Sequence, residues 1–179
     1  MVILIIGASH TGKTLMMKKL IEKTRFPALS LDHLKMGLIR AGITRLTPED
    51  DEKLTEYLWR IAAEMIKTAV ENRQDLILEG CYVPENWRES FDAAYLTKIR
   101  AVYLIMTRDY VTAHFDNIRR YADAIEYRLP EQLDRDGLIR DNERYDKESQ
   151  ANGTPRIVIK EGYDEDAIFR EMASLLRVT

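Results

Sequence analysis

Eight consecutive residues near the start, Gly7-Ala8-Ser9-His10-Thr11-Gly12-Lys13-Thr14, constrain this chain more than any other feature in it. They satisfy the spacing Gly-x-x-x-x-Gly-Lys-[Ser/Thr] of a P-loop at every fixed position. Before them runs Val2-Ile3-Leu4-Ile5-Ile6, short, apolar and β-branched, the pattern of a buried parallel strand. After them Leu15-Met16-Met17-Lys18-Lys19-Leu20-Ile21 is apolar at helical spacing. In a strand–loop–helix, Gly7 and Gly12 allow the tight turn that aims backbone N–H groups inward as an anion nest, and the helix adds its positive end. The candidate nucleotide-binding residues are therefore Gly7, Ala8, Ser9, His10, Thr11, Gly12, Lys13, Thr14 and Leu15. Lys13 is expected at the β- and γ-phosphates, and the Thr14 hydroxyl on Mg²⁺. His10 stands at a free position of the loop and reads as a solvent-facing side chain.

A length of 179 residues suits one domain, 1–179, with a sizeable core. The net charge of −3 gives no global argument for nucleic acid. No apolar run approaches the ~20 residues of a membrane span, and the chain opens directly on a strand pattern, so no signal peptide and no membrane partner are expected. The lone Cys81 has no internal partner for a disulfide. With nucleotide chemistry, that predicts a cytoplasmic protein.

Phe26 to Leu31 reads as a second strand, and Asp32 follows at its C-terminal end. Ligands of open α/β sheets sit at the carboxyl ends of the strands, so Asp32 is a site candidate; as a favoured cap residue it also suits the start of a helix from His33 to Ala41. Lys35 lies one turn from Asp32, and Arg40 is on the same helix. Thr47-Pro48-Glu49-Asp50 has the signs of a helix start. The stripe Leu54, Leu58, Ile61, Met65, Ile66, Ala69 and Val70 predicts a long amphipathic helix packed on the sheet. Asp75 to Gly80 is a third strand, ending in the acid Glu79. Such a strand downstream of a P-loop resembles a Walker B element, whose acid holds Mg²⁺ directly or through water. A short helix through Trp87 and Phe91 is expected next, with Cys81 as a small buried residue. Arg100 to Met106 and Pro155 to Ile159 read as the fourth and fifth strands. A closing helix carries Ile168, Met172, Leu175 and Leu176 on its core side. The Gly162-Tyr163-Asp164 segment before it is a candidate neighbour of an adenine ring.

Between the fourth and fifth strands lies an arginine-rich stretch with Arg108, Arg119, Arg120, Arg128, Arg135, Arg140 and Arg144. Its first part has helical apolar spacing at Val111, Phe115, Ile118, Ala122 and Ile125. Most of these arginines read as a solvated face. Phosphoryl transfer nevertheless needs positive charge at the transferring group, which a mobile lid commonly supplies. The stretch at about 108–153 is thus expected to be a lid-like insertion, with Arg119, Arg120 and Arg128 as the catalytic candidates.

Taken together, these elements resemble the P-loop kinases of small molecules: adenylate kinase, shikimate kinase, chloramphenicol phosphotransferase, zeta-toxin-type kinases and 2-phosphoglycerate kinase. The resemblance implies an α/β fold of three layers, a five-stranded parallel sheet of order 2-3-1-4-5, a helical lid, and a site for ATP and Mg²⁺. Asp32-His33-Leu34-Lys35 looks like the Asp-x-x-Arg of adenylate kinases, with Lys35 in place of the arginine. The third strand departs from them: Glu79-Gly80 runs into Cys81-Tyr82-Val83-Pro84, with no basic residue before Arg88, where those kinases carry an arginine that grips the monophosphate. Glu79-Gly80 with a nearby Val-Pro is more similar to the 2-phosphoglycerate kinase and zeta-toxin type, which phosphorylate hydroxyl groups.

The reading is an ATP-dependent kinase of a small-molecule acceptor, most readily a hydroxyl group. Asp32, Lys35, Arg40 and Glu79 are its substrate-side candidates, Lys13 and Asp32 catalyse with the arginines, and Thr14 and Glu79 hold the metal. The alternatives are a nucleoside monophosphate kinase and a P-loop GTPase switch. The switch lacks an Asn-Lys-x-Asp guanine motif in this chain.

Overall fold

The computed structural model describes residues 1–121 and 133–178. Five parallel strands form one sheet in the order β2-β3-β1-β4-β5, with helices on both faces. The strands are β1 (Val2–Ile6), β2 (Ala28–Ser30), β3 (Leu76–Gly80), β4 (Ile99–Met106) and β5 (Arg156–Ile159). The helices are α1 (Lys13–Thr24), α2 (Leu31–Arg40), α3 (Asp51–Glu71), α4 (Ala93–Leu96), α5 (Arg108–Arg120), α6 (Arg135–Ala151) and α7 (Glu165–Leu175), with a single 3₁₀ turn at Trp87–Ser90.

β1 lies at the centre because its sequence allows nothing else. Each of its five side chains is apolar and at most 1% exposed, and its neighbours β3 and β4 satisfy its backbone on both edges. Fully burying such a side chain is worth about 1.5–3 kcal/mol, so this strand anchors the core. The register then sets the site. Ser30 of β2 stands beside Glu79 of β3, which stands beside Ile5 of β1. The residues that follow each strand emerge at one edge of the sheet: Asp32 after β2, Cys81 after β3, and Gly7 after β1.

Several boundaries differ from the sequence-based expectation, each for a local reason. β2 is only three residues long, and α2 starts at once, with Ser30 rather than Asp32 as its cap: the Ser30 hydroxyl accepts from the Asp32 N–H at 3.3 Å. Asp32 is thereby left in the first helical turn with its carboxylate uncommitted to a cap. Thr47 does not begin α3. Its N–H and hydroxyl both donate to Asp50 Oδ2, at 2.9 and 3.1 Å, closing a turn, and Asp50 becomes the residue before the helix. The buried stripe of α3 is rotated from the expected one. Trp59, Ala62 and Ala63 face inward while Met65 is 37% exposed. The Trp59 indole N–H donates to Ser90 Oγ at 2.9 Å, and its ring meets Phe91 edge-on, a contact that local periodicity does not encode. Leu175 of the closing helix is likewise exposed, whereas Ile168, Met172 and Leu176 are buried.

The stretch expected to be a lid contains two well-packed helices. α6 buries Leu138, Ile139 and Tyr145 and lies against β4 and α5. Its Asn142 accepts from the Met106 N–H at 2.7 Å, tying it to the end of β4. Residues 122–132, with Ala122 and Ile125 of the expected apolar spacing, lie outside the described residues.

Gly80 sets how closely α2 approaches the sheet. A Cβ there would lie 2.8 Å from Leu31 Cβ, closer than packed carbons come. Gly80→Ala is expected to lower stability by about 1–3 kcal/mol, read as a reduced thermal midpoint, because α2 must move away from β3.

Candidate active site

The loop from Gly7 to Gly12 turns through the left-handed region at His10 (φ 61°) and Gly12 (φ 89°) and delivers the chain into α1. Gly12 is required twice over. Its φ disfavours any side chain, and a Cβ would collide with the hydroxyl of Tyr163, which donates to the Thr11 carbonyl at 3.2 Å. The segment expected beside an adenine thus reaches the phosphate loop itself, and Tyr163 braces it. Inside the loop the Thr11 hydroxyl donates to the Ala8 carbonyl at 3.0 Å. Lys13 is 6% exposed, and its ammonium donates to the same carbonyl at 2.7 Å. The lysine is folded onto the loop, with its charge held against the loop backbone.

Thr14, in the first turn of α1, donates its hydroxyl to Glu79 Oε1 at 3.2 Å, and Glu79 is 2% exposed. A hydroxyl and a carboxylate meet where the phosphate loop adjoins the end of β3. This pair fits Mg²⁺, which takes hard oxygen ligands, keeps several waters and needs only one or two protein oxygens when it also binds phosphates. Among the described residues no group of three acidic, histidine or cysteine side chains could hold a metal by itself.

The other side of the cleft is built by α2, the loop after β3 and the start of α3. Lys35 Nζ lies 3.3 Å from Asp32 Oδ1 and donates to the Tyr82 hydroxyl at 2.6 Å. That hydroxyl in turn donates to Asp51 Oδ1 at 3.1 Å. Cys81 sits among these groups. Burial, and after it the charge of Asp32, push its thiol up to about 11, against the opposing pull of Lys13 and Lys35. The thiol stays protonated and unreactive at neutral pH. The Cys81 carbonyl accepts the Tyr145 hydroxyl of α6, which steadies the loop from behind.

Lys13, Thr14, Asp32, Lys35 and Glu79 are thus gathered at one edge of the sheet. Other candidates are not part of this gathering. Arg40 is exposed on the last turn of α2. Arg119 pairs with Asp116 at 3.2 Å, and the Arg120 guanidinium lies 5.8 Å from the centre of the Tyr121 ring, both exposed near the end of α5. Arg128 lies outside the described residues. Arg88 turns away to donate to Thr154 Oγ1 at 3.1 Å and stacks over Trp87 at 4.6 Å. Tyr82 and Asp51 were not singled out by sequence as site-building residues, and Tyr163 only within a segment expected near an adenine. Tyr82 stands three residues after Glu79, a spacing that carries no signal of its own.

A family model described as an AAA domain matches residues 2–130, most of the chain and all of the elements that build this cleft. The chain belongs to the AAA domain family. No curated protein matches the sequence. Among solved structures, the shikimate kinase of Acinetobacter baumannii in complex with shikimate is 18% identical with a TM-score of 0.58, over 98% of this chain and 93% of that one. A gluconokinase from Sinorhizobium meliloti 1021 is 14% identical with a TM-score of 0.57, over 98% and 90%. The deoxyadenosine kinase of M. mycoides with bound dATP is 13% identical with a TM-score of 0.55, over 99% and 100%. At these identities the likeness is one of fold, and it spans nearly the whole of each chain. This AAA domain protein therefore has a kinase-like P-loop fold. None of its described helices is long and apolar enough to cross a membrane.

Proposed function

We propose that this protein is an ATP-dependent kinase that transfers the γ-phosphoryl group to a hydroxyl of a small-molecule acceptor, in the cytoplasm. One observation carries the reading. Two separate acids stand at neighbouring strand ends, one beside the phosphate loop at Thr14 and one across the cleft beside Lys35. Mg²⁺, when bound with ATP, would supply positive charge that offsets the charge developing on the phosphate oxygens. Thr14 and Glu79 would hold that ion. The loop N–H groups and Lys13 bind the β- and γ-phosphates, Lys13 leaving the Ala8 carbonyl to do so. Asp32 accepts the proton of the attacking hydroxyl, and the Asp32–Lys35 pair orients that hydroxyl. The transferring group needs further positive charge, which Arg119 and Arg120 would bring after a movement of α5.

The arrangement favours a hydroxyl acceptor over a nucleoside monophosphate. A phosphate acceptor needs no base, and it needs cations to hold it, whereas Lys35 is already engaged by Asp32 and Arg88 is turned to Thr154. The solved structures of similar fold, among them a shikimate kinase, a gluconokinase and a deoxyadenosine kinase, support a search among hydroxylated metabolites.

The test is ADP release from ATP–Mg²⁺ with a panel of shikimate, gluconate, deoxyadenosine, glycerate, aminoglycosides and nucleoside monophosphates. At least one hydroxyl acceptor is expected to raise ADP release tenfold or more over the acceptor-free rate. Stimulation by a monophosphate alone would replace this reading with the nucleoside monophosphate kinase.

A further inference from the structure

The Lys35–Tyr82–Asp51 chain joins three elements that are far apart in sequence. Lys35 is on α2, Tyr82 on the loop after β3, and Asp51 on the first turn of α3. Tyr82 is buried at 4% exposure, whereas the side chains of Lys35 and Asp32 are 13% and 29% exposed. The Lys35 ammonium also lies 4.9 Å from the centre of the Tyr82 ring. A lysine has four rotatable side-chain bonds and strong hydration, and it keeps one position only where partners fix it. Here the tyrosine supplies both an oxygen acceptor and a ring face. Asp51, by accepting the tyrosine's own proton, orients the hydroxyl oxygen's lone pairs toward Lys35.

We propose that Tyr82 is a positioning residue for the phosphoryl acceptor: held by Asp51, it pins Lys35 beside Asp32 and so presets the acceptor side of the cleft. The proposal rests on the reading of Asp32 and Lys35 as acceptor-side groups. Tyr82 acts through Lys35 and touches neither ATP nor the reacting atoms. Its burial keeps the hydroxyl a neutral donor and acceptor at any working pH, since desolvation raises its ionisation far above the ordinary tyrosine range.

Four variants test it: Tyr82→Phe, Asp51→Ala, Asp51→Asn and Lys35→Met. Tyr82→Phe keeps the ring and removes only the hydroxyl. The first readout needs no acceptor. Hydrogen exchange of the protein with ATP–Mg²⁺ should rise severalfold over residues 31–40 in Tyr82→Phe and remain unchanged over residues 2–14. The second uses the panel compound with the highest turnover. Tyr82→Phe should raise its KM about tenfold, the effect of losing one hydrogen bond to a charged group, and leave the KM for ATP within twofold.

Asp51→Ala, on an exposed position, should reproduce the effect in weaker form, and Asp51→Asn, which still offers an oxygen to the tyrosine, should restore the wild-type KM. In a Lys35→Met background Tyr82→Phe should add less than twofold. Unchanged exchange over residues 31–40 overturns the proposal, and so does an equal rise of both KM values. Failure of the wild-type protein to use any panel compound removes the kinase reading instead, while the exchange readout still decides the role of Tyr82.

Discussion

Lys13→Ala is expected to abolish phosphoryl transfer, by roughly a hundredfold to a thousandfold or more, and to weaken ATP binding more than ADP binding. Removing one preorganised donor from the developing charge has an effect of that order in comparable sites. The asymmetry follows from geometry. Lys13 rises from the first turn of α1, and its ammonium already sits over the loop at the Ala8 carbonyl. On the proposed kinase reading, Lys13 turns from that carbonyl to the terminal phosphate, which ADP lacks. Calorimetry of both nucleotides with Mg²⁺, alongside ADP release, measures it. Equal losses for ATP and ADP would place the lysine elsewhere, and unchanged ATP affinity with unchanged turnover would remove the nucleotide site from this loop.

The two acids should fail in different ways. Asp32→Asn is expected to retain ATP–Mg²⁺ binding and to lose turnover by about a hundredfold or more, since an amide cannot take the proton of the acceptor hydroxyl. Ser30 caps α2, so the substitution removes no cap and should leave the thermal midpoint nearly unchanged. Glu79→Gln should instead raise the Mg²⁺ concentration needed for half-maximal turnover, because Glu79 meets the Thr14 hydroxyl, its partner in the proposed metal site. Turnover against Mg²⁺ concentration for both variants separates them. Near-normal turnover in Asp32→Asn would strip it of the base role and return the argument to a phosphate acceptor.

The parts of this architecture that are local in sequence were legible there. The phosphate loop between β1 and α1 is written in contiguous residues, and Glu79 follows from a strand that ends in an acid. The strand order came only through resemblance to a known group of kinases, because parallel pairing between residues some seventy positions apart leaves no local trace. The rotated face of α3 was hidden because Ser90 and Phe91, thirty residues on, decide where Trp59 points. The acceptor side was half legible. Asp32 and Lys35 share a helical turn and so announce each other, whereas Tyr82 and Asp51 acquire their roles only when α2, α3 and the loop after β3 come together.

The brace between Tyr163 and the phosphate loop ties the order of that loop to the packing of α7. The Thr11 carbonyl takes its partner from position 163, and Lys19 of α1 pairs with Asp166 of α7 at 2.9 Å. A fragment cut just before Tyr163 keeps the residues that pair β1 with β3 and β4 but loses this clamp. Its phosphate loop is expected to exchange amide hydrogens faster than the loop of the uncut chain.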